Sequence, residues 1–444
     1  MTKDMTAGSP LKLILLFSIP VLIGNIFQQF YNMVDTLIVG RFLGEDALAA
    51  VGATGSICFM MLGFAIGIAQ GFGIKLSHAF GARNEEELRS RVAASLSLGL
   101  GVSLVLTLLT MLSARALLTF MNTPENIFEM SYDYIIVIYG GLGATMFFNI
   151  ASAILRGVGD SKTPLYFLVL ASLLNILLDI FLIVQVGMGT EGAAWATVIS
   201  QAFSAVLCFV YMFRKFEILK LKKKDFHLDL GICKSMFGVG IPMALNYTIT
   251  AVGVMILQSA INVFGSTVVA SYTAAAKVEQ LATQPMVTLG TTMSTYNGQN
   301  LGAGNYDRIY DGMKKAFLLA LVLAGFSALV CCLGGMPLVS MFLSEPTAEV
   351  LSYARQYLLT ISCFFVPLVL IYLYRNALQG LDQGFWPMMS GLFEMICRIA
   401  VVWIFLKPAG YWAVCFASPT AWVGAGLPLL GVYLHWKKRM KRLH

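Results

Sequence analysis

The sequence predicts an all-α polytopic membrane protein with twelve transmembrane helices in two six-helix bundles. Of its 444 residues, 58% are hydrophobic and only 12% are charged, and the mean hydropathy is +0.77. A soluble domain carries about 25% charged residues, so a soluble protein of this composition would lack the polar groups to cover its surface. Segments of about 20 residues almost free of charge recur along the chain, and each is long enough to cross a bilayer as a helix.

Twelve such segments are expected. Their approximate centres are residues 28, 62, 105, 145, 175, 202, 250, 283, 325, 365, 395 and 422. The first apolar run extends from Leu11 to about Phe42 without a small-residue cleavage site, so it is predicted to be a span and not a cleaved signal peptide. The cysteines have no metal-type spacing and are interpreted as apolar packing residues.

The chain also repeats itself. GARN at Gly81–Asn84 recurs as GAGN at Gly302–Asn305, Ile19–Pro20 recurs as Ile241–Pro242, and LRGVGDSKTP from Leu155 aligns with LQGLDQGFWP from Leu378. Three matches at nearly one offset predict an N-terminal six-helix bundle over 1–213, a basic linker over 214–232 and a C-terminal bundle over 233–444. Because six is even, both halves enter the membrane in the same direction and should be related by a pseudo-two-fold axis along the membrane normal.

The basic residues orient the chain. Lys and Arg are concentrated at the N-terminus, in the loops that follow even-numbered spans, in the linker from Arg214 and in the tail from Lys437. This asymmetry predicts a multi-pass protein of the cell membrane with both termini in the cytoplasm. It also explains the net charge of +7 without nucleic-acid binding.

Four carboxylates fall well inside the predicted spans: Asp35, Asp179, Glu279 and Glu394. A charge near the bilayer centre costs roughly 2.5–3.5 kcal/mol on insertion scales, so each needs a physical reason.

In span one, Gln28, Asn32 and Asp35 lie on one helical stripe, and in span five Asn175 and Asp179 are four residues apart. With cytoplasmic termini, Asp35, Asp179 and Thr197 all lie about 8–12 Å below the outer surface. The sequence therefore predicts that the first half holds a buried proton or Na⁺ site at Asp35, Asn175, Asp179 and Thr197. A structural hydrogen-bond cluster is the alternative, favoured for Asn175 or Thr197 taken alone.

The second half differs in character. Glu394 and Arg398 are four residues apart in span eleven and are interpreted as a structural ion pair more readily than as a site. Lys277, Glu279 and Gln284 in span eight are candidates for lining a central cavity. Other candidates for that cavity are Gln28, Asn32, Glu394 and Arg398.

Pro20 lies inside span one, fifteen residues before Asp35. Proline removes a helix hydrogen bond and kinks or loosens the helix. We expect Pro20 to act as a switch in the helix that carries Asp35, or else to form a static kink.

The chain resembles the multidrug and toxic compound extrusion (MATE) transporters over nearly its whole length. The resemblance rests on IPVLIGNIFQQFYNMVDTLIVGRFLG from Ile19, on the GARN and GAGN loops, and on LRGVGDSKTP, LNILLDIFLI, GAAWATVISQ and GSTVVASYTAAAKVEQ. It implies two bundles that export cationic or amphipathic organic compounds in exchange for H⁺ or Na⁺ by alternating access. It also implies a cation site in the first half on Asp35, Asn175, Asp179 and Thr197, and a kinking proline at Pro20.

One branch of the family, the NorM-like members, carries an acidic residue in span seven. That position falls here near Thr250, and span seven has no carboxylate. The chain is therefore more similar to the DinF-like branch, and an ion site in the second half is in doubt. The resemblance implies no cofactor besides the coupling ion, and the protein is expected to act as a monomer.

Two other classes of function can be compared with the sequence. A lipid-linked oligosaccharide flippase of the wider superfamily is the alternative, but its cavity would need several cationic residues and only Lys277 and Arg398 qualify. An intramembrane enzyme is excluded because no HExxH, GxGD, Ser–His or Cys–His grouping lies inside the spans.

Overall fold

The computed structural model describes residues 4–227, 229–343 and 347–443, and these residues fold almost entirely into helices. In the first half the helices are α1 (Pro10–Leu43), α2 (Glu45–Gly81), α3 (Glu85–Phe120), α4 (Glu125–Gly140), α5 (Leu142–Gly157), α6 (Lys162–Asp179) and α7 (Thr190–Lys215). In the second half they are α8 (Leu230–Asn262), α9 (Ser266–Gly302), α10 (Tyr306–Leu329), α11 (Gly335–Met341), α12 (Ala348–Ser362), α13 (Phe365–Gly380), α14 (Phe385–Ala409) and α15 (Tyr411–Leu443).

Short segments of other helical type join or extend these helices. A π-helical stretch, Ile180–Gln185, continues α6, and a second one, Val330–Gly334, joins α10 to α11. Two 3₁₀ turns, Glu217–Leu219 and Lys223–Phe226, lie in the basic linker between α7 and α8.

As predicted, the described helices group as six in each half, and nine to eleven of these twelve have the length and composition of a membrane span. Within the described ranges, nine helical segments are long and apolar enough to cross a membrane. The pairs α4–α5 and α12–α13 are bent by 46° and 57°, and each counts as one further span. The twelfth is α9, which has 37 residues but a more polar sequence.

The loops of the repeat have matching geometry. Gly44 and Gly265 precede α2 and α9 with φ of 91° and 86°, a region that favours glycine. In the GARN loop, Asn84 caps α3 by accepting a hydrogen bond from the backbone N–H of Glu87 at 3.1 Å. The GARN and GAGN motifs are thus the turns at which α2 leads into α3 and α9 into α10.

The chain forms two compact units whose boundaries cut across α1 and α8. One unit comprises Met1–Met5 and Ile19–Thr248, and the other comprises Thr6–Ser18 and Ile249–His444. The beginning of α8 therefore packs in the first unit, where Met236 and Ala244 join a core built around Phe72, Ile150 and Cys208. The beginning of α1 packs in the second unit, where the Ser18 and Thr292 hydroxyls are hydrogen-bonded at 2.8 Å.

Candidate functional site

A pair of carboxyl groups from α1 and α6 forms the centre of the candidate site in the first unit. The side chains of Asp35 and Asp179 face each other closely enough to form a hydrogen bond. Asp179 is fully buried and Asp35 is half-buried.

Asn175 and Thr197 extend this pair, as their spacing predicted they would. The Asn175 amide donates from Nδ2 to Asp179 Oδ2 at 2.9 Å, and its oxygen accepts from the Thr197 backbone N–H at 3.0 Å and from Thr197 Oγ1 at 3.2 Å. This amide orientation gives both polar atoms of Asn175 complementary partners. The structure thus brings together all four residues of the predicted cation site, from α1, α6 and α7.

Two tyrosines belong to this cluster and were missed in the sequence. The Tyr31 hydroxyl is hydrogen-bonded with the Thr197 side chain and lies near both carboxyl groups. Tyr134, from α4, also lies near Asp35 and Asp179. The position of Tyr31, four residues before Asp35 on the same helical stripe, was a signal that could have identified it, whereas nothing in the sequence around Tyr134 points to the site.

The local fold positions the two carboxyl groups differently. Asp179 is the last regular residue of α6, and the π-helical stretch Ile180–Gln185 begins directly after it. Wider π-helical turns inside α-helices are frequent at functional sites because they redirect side chains and loosen the backbone ladder. Asp35 lies inside the uninterrupted α1, fifteen residues after Pro20, which the helix accommodates in its interior.

The donor set of this cluster fits a proton or a small hard cation. Within the described residues, Asp35 Oδ1 and Asp179 Oδ1 are buried and have no hydrogen-bond partner. A buried carboxylate oxygen without a partner is unfavourable, so each can gain stabilisation from an added proton or ion. The cluster supplies carboxylate, amide and hydroxyl oxygens, the ligand type that hard cations prefer.

The other polar residues of the α1 stripe lie outside this cluster. Gln28 and Asn32 have exposed side chains, and Thr36 donates back to the Asn32 carbonyl oxygen at 2.8 Å.

The second unit holds a buried ion-pair cluster. Glu394 of α14 is bound by Arg375 of α13 and lies 3.5 Å from Nη2 of Arg398, one turn along its own helix. All three side chains are at most 12% exposed. Arg375 lies inside α13 and was not among the site residues predicted from the sequence.

The candidates from span eight are separated along α9. Glu279 accepts a hydrogen bond from the Tyr357 hydroxyl at 2.7 Å. Gln284 is buried, whereas Lys277 is exposed with its Nζ 5.5 Å from the Phe342 ring centroid. Glu279 also lies within electrostatic range of Arg398.

Known proteins resemble this chain over almost its whole length. It is 27% identical over 438 residues to the probable multidrug resistance protein YoeA of Bacillus subtilis, covering 96% of this chain and 94% of the relative. It is 25% identical to the probable multidrug resistance protein NorM of Thermotoga maritima and 23% identical to an FAD transporter of Shewanella oneidensis, covering 88% and 90% of this chain and 84% and 88% of those relatives.

Solved structures share the fold. A MATE protein in complex with MaL6 superposes with a TM-score of 0.93 at 24% identity, over the full length of both chains. An outward-facing multidrug resistance MATE transporter gives a TM-score of 0.92 at 24% identity and 99% coverage of each chain.

The family model named MatE matches residues 20–181 and 242–404, two segments that correspond to the two predicted repeats. These segments cover well over half of the chain. The protein therefore belongs to the MatE family and is a multi-pass membrane transporter, not an enzyme.

Proposed function

We propose that this protein is an efflux antiporter that exports cationic or amphipathic organic compounds in exchange for H⁺ or Na⁺, coupled through Asp35 and Asp179. The observation that carries the proposal is the buried pair of carboxyl groups whose Oδ1 atoms have no partner among the described residues. Because these two buried oxygens lack partners, the pair can take up one ion and release it again in each transport cycle.

The ion acts through differential affinity. An entering proton binds a carboxylate oxygen of the pair, or Na⁺ binds the oxygens of Asp35, Asp179, Asn175 and Thr197. Either ion shifts the transporter toward the state that binds it more tightly, and that state releases the organic compound outside. Because Asp35 lies on the same helix as Pro20, ion binding can alter the bend of α1 at its proline.

Relatives named as multidrug resistance proteins support an organic substrate. Another relative is named as a transporter of FAD, a nucleotide cofactor. A lipid-linked oligosaccharide flippase is not favoured. Such a protein needs free cationic groups for pyrophosphate, and the buried Arg375 and Arg398 are already bound to Glu394.

The chain is assigned to the DinF-like branch, because Thr250 stands where NorM-like members carry an acidic residue. It resides in the cell membrane and acts as a monomer. Both termini lie in the cytoplasm, an orientation supported by the distribution of Lys and Arg.

Uptake of a fluorescent cationic dye into inside-out vesicles tests the coupling. A proton gradient and a sodium gradient are imposed separately on the parent, Asp35→Asn and Asp179→Asn. We expect the parent to accumulate dye under one gradient. Each variant should lose at least tenfold in gradient-driven rate because its carboxylate can no longer exchange the ion, which corresponds to an increase of about 1.4 kcal/mol or more in activation free energy.

Asp46→Asn is the matched control, since Asp46 is exposed in the first turn of α2 and lies outside the cluster. It should transport like the parent. Unchanged gradient-driven uptake by both cluster variants would disprove coupling through this pair.

A further inference from the structure

The starts of α3 and α10 are equivalent positions in the repeat, yet their surroundings differ. In the first unit the linker covers the start of α3. Asp225 is buried, accepts a hydrogen bond from the Lys222 backbone N–H at 2.7 Å and lies 3.8 Å from Arg89 Nε. Lys224 adds an ion pair with Glu86 at 2.6 Å. The linker thus places an anionic group of the chain itself, Asp225, beside the first turns of α3.

In the second unit the end of α15 lies at the start of α10. By the offset of the GARN and GAGN loops, Tyr310 occupies the position of Arg89. The Tyr310 ring lies 6.4 Å from the Trp436 ring, and Lys437 Nζ and Lys441 Nζ lie 5.3 and 5.5 Å from its centroid. A cavity of about 430 Å³ opens here, lined by Gly304, Asn305, Tyr306, Asp307, Arg308, Tyr310, Met440 and Lys441.

The polar lining of this cavity suits a phosphate. The Tyr310 hydroxyl is buried and has no hydrogen-bond partner within the described ranges. Arg308 is held in place by Asn300 Oδ1 at 3.1 Å and by the Gly8 carbonyl oxygen at 2.9 Å. Against the two cations Arg308 and Lys441 stands one carboxylate, Asp307, so the lining carries a surplus positive charge.

An apolar surface leads away from this cavity along α15. Leu427, Leu434 and Lys441 follow one another at intervals of seven residues, which places them on one face of the helix. Leu427 and Leu434 are 57% and 52% exposed. A cationic and aromatic end above an exposed apolar face matches a molecule with a charged head and hydrocarbon chains.

We propose that this cavity binds the phosphate headgroup of an anionic membrane phospholipid, whose acyl chains lie along the Leu427–Leu434 face. The lipid phosphate takes the place that the Asp225 carboxylate fills in the first unit. Lys441 and the Tyr310 hydroxyl hold the phosphate, and the turn between α9 and α10 sets the headgroup at the membrane surface. This site is separate from Asp35 and Asp179.

Native mass spectrometry of the purified full chain tests the proposal. The protein is delipidated, then incubated with phosphatidylglycerol or phosphatidylcholine. We expect the parent to retain one phosphatidylglycerol preferentially. The double variant Lys437→Gln/Lys441→Gln should lose this preference roughly tenfold or more, since a charge-assisted hydrogen bond from Lys441 to the phosphate is removed. Tyr310→Phe should reduce it about three- to tenfold by removing one hydrogen bond.

The matched control is Lys438→Gln/Arg442→Gln, which removes the same charge from exposed positions of the same helix. It should retain the lipid like the parent. A cooperative thermal unfolding transition in phosphatidylcholine serves as the check that each variant is folded. Undiminished retention by the Lys437→Gln/Lys441→Gln variant would overturn the proposal, as would an equal loss in the control. Equally strong retention of soluble glycerol phosphate by the parent would overturn the proposal too, since a free phosphate would then be the ligand.

Discussion

Carboxylates inside membrane helices cost roughly 2.5–3.5 kcal/mol each on insertion scales, and this chain compensates its four in three ways. Asp35 and Asp179 lie side by side, Glu279 accepts a hydrogen bond from Tyr357, and Glu394 binds two arginines. Glu394 has both of its oxygens bound to arginine, whereas the aspartate pair retains two buried oxygens without partners. This difference in hydrogen-bond satisfaction is the reason for proposing an exchangeable ion site at the aspartate pair and a structural role for Glu394.

Replacing Glu394 tests its structural role. Glu394→Gln leaves Arg375 and Arg398 buried without a counter-charge, so the protein should lose about 3–5 kcal/mol of stability. Thermal unfolding in detergent should show a clearly lowered midpoint.

The control for this substitution is Asp311→Asn, which breaks the Lys315–Asp311 pair of 2.6 Å whose side chains are 38% and 44% exposed. An exposed pair contributes no more than about 1 kcal/mol, so the midpoint should barely move. Equal shifts in the two variants would show that the Glu394 cluster contributes no more than a surface pair.

The candidate site was predictable where its residues share a helix stripe. Asn175 and Asp179 are one turn apart on one helix. The depth of Asp35 and Thr197 in the membrane could be predicted by counting residues from the outer ends of their spans. Tyr134 was not predictable, because its approach to the pair depends on how α4 packs. The same is true of Arg375, whose burial depends on the bend between α12 and α13.

At the scale of helices, close glycine contacts fix one crossing in the first unit. A Cβ added to Gly71 would lie 2.4 Å from Gly240 Cα, and one added to Gly67 would lie 2.6 Å from Ala244 Cα. The spacing of four residues on both α2 and α8 lets the two backbones touch, as in small-xxx-small packing. The contact at the equivalent place in the second unit is the hydrogen bond between Ser18 and Thr292.

Adding one methyl group tests this crossing. Gly71→Ala must push the two backbones apart and should destabilise the protein by about 1–3 kcal/mol. Heat-induced aggregation of the detergent-solubilised variant measures the loss.

Gly101→Ala is its counterpart, because no atom lies within 4 Å of the added Cβ in the middle of α3. There alanine should stabilise the helix by about 0.5–1 kcal/mol. A Gly71→Ala variant as stable as Gly101→Ala would mean that the helices are free to separate.

At the scale of the whole molecule, hydropathy and the repeat predicted the helical spans and their grouping by six. The start of α1 was predicted within a residue or two, because apolar composition changes sharply there. The division of α1 and α8 between two units was not predictable. It depends on long-range packing of Ser18 with Thr292 and of Gly240 with Gly71, and such contacts leave no periodic pattern in the chain.

The proposed orientation has a direct test. In a background whose eight cysteines are replaced, Glu45→Cys and Lys438→Cys are treated with a membrane-impermeant maleimide on intact cells. We expect labelling of Glu45→Cys alone, since Gly44 marks the outer end of span one and Lys438 belongs to the cytoplasmic tail. Permeabilised cells should show both labelled. Labelling of Lys438→Cys before permeabilisation would reverse the topology.

The pairing of Asp35 with Asp179 has an electrical consequence for the proposed transport cycle. In that cycle the two carboxyl groups together exchange one monovalent ion. In the proposed exchange, one such ion entering for one monovalent organic cation leaving moves no net charge, so the membrane potential neither drives nor opposes the cycle. A zwitterionic compound leaving for the same ion would move one charge, and about 2.3 kcal/mol per 100 mV would then add to the ion gradient.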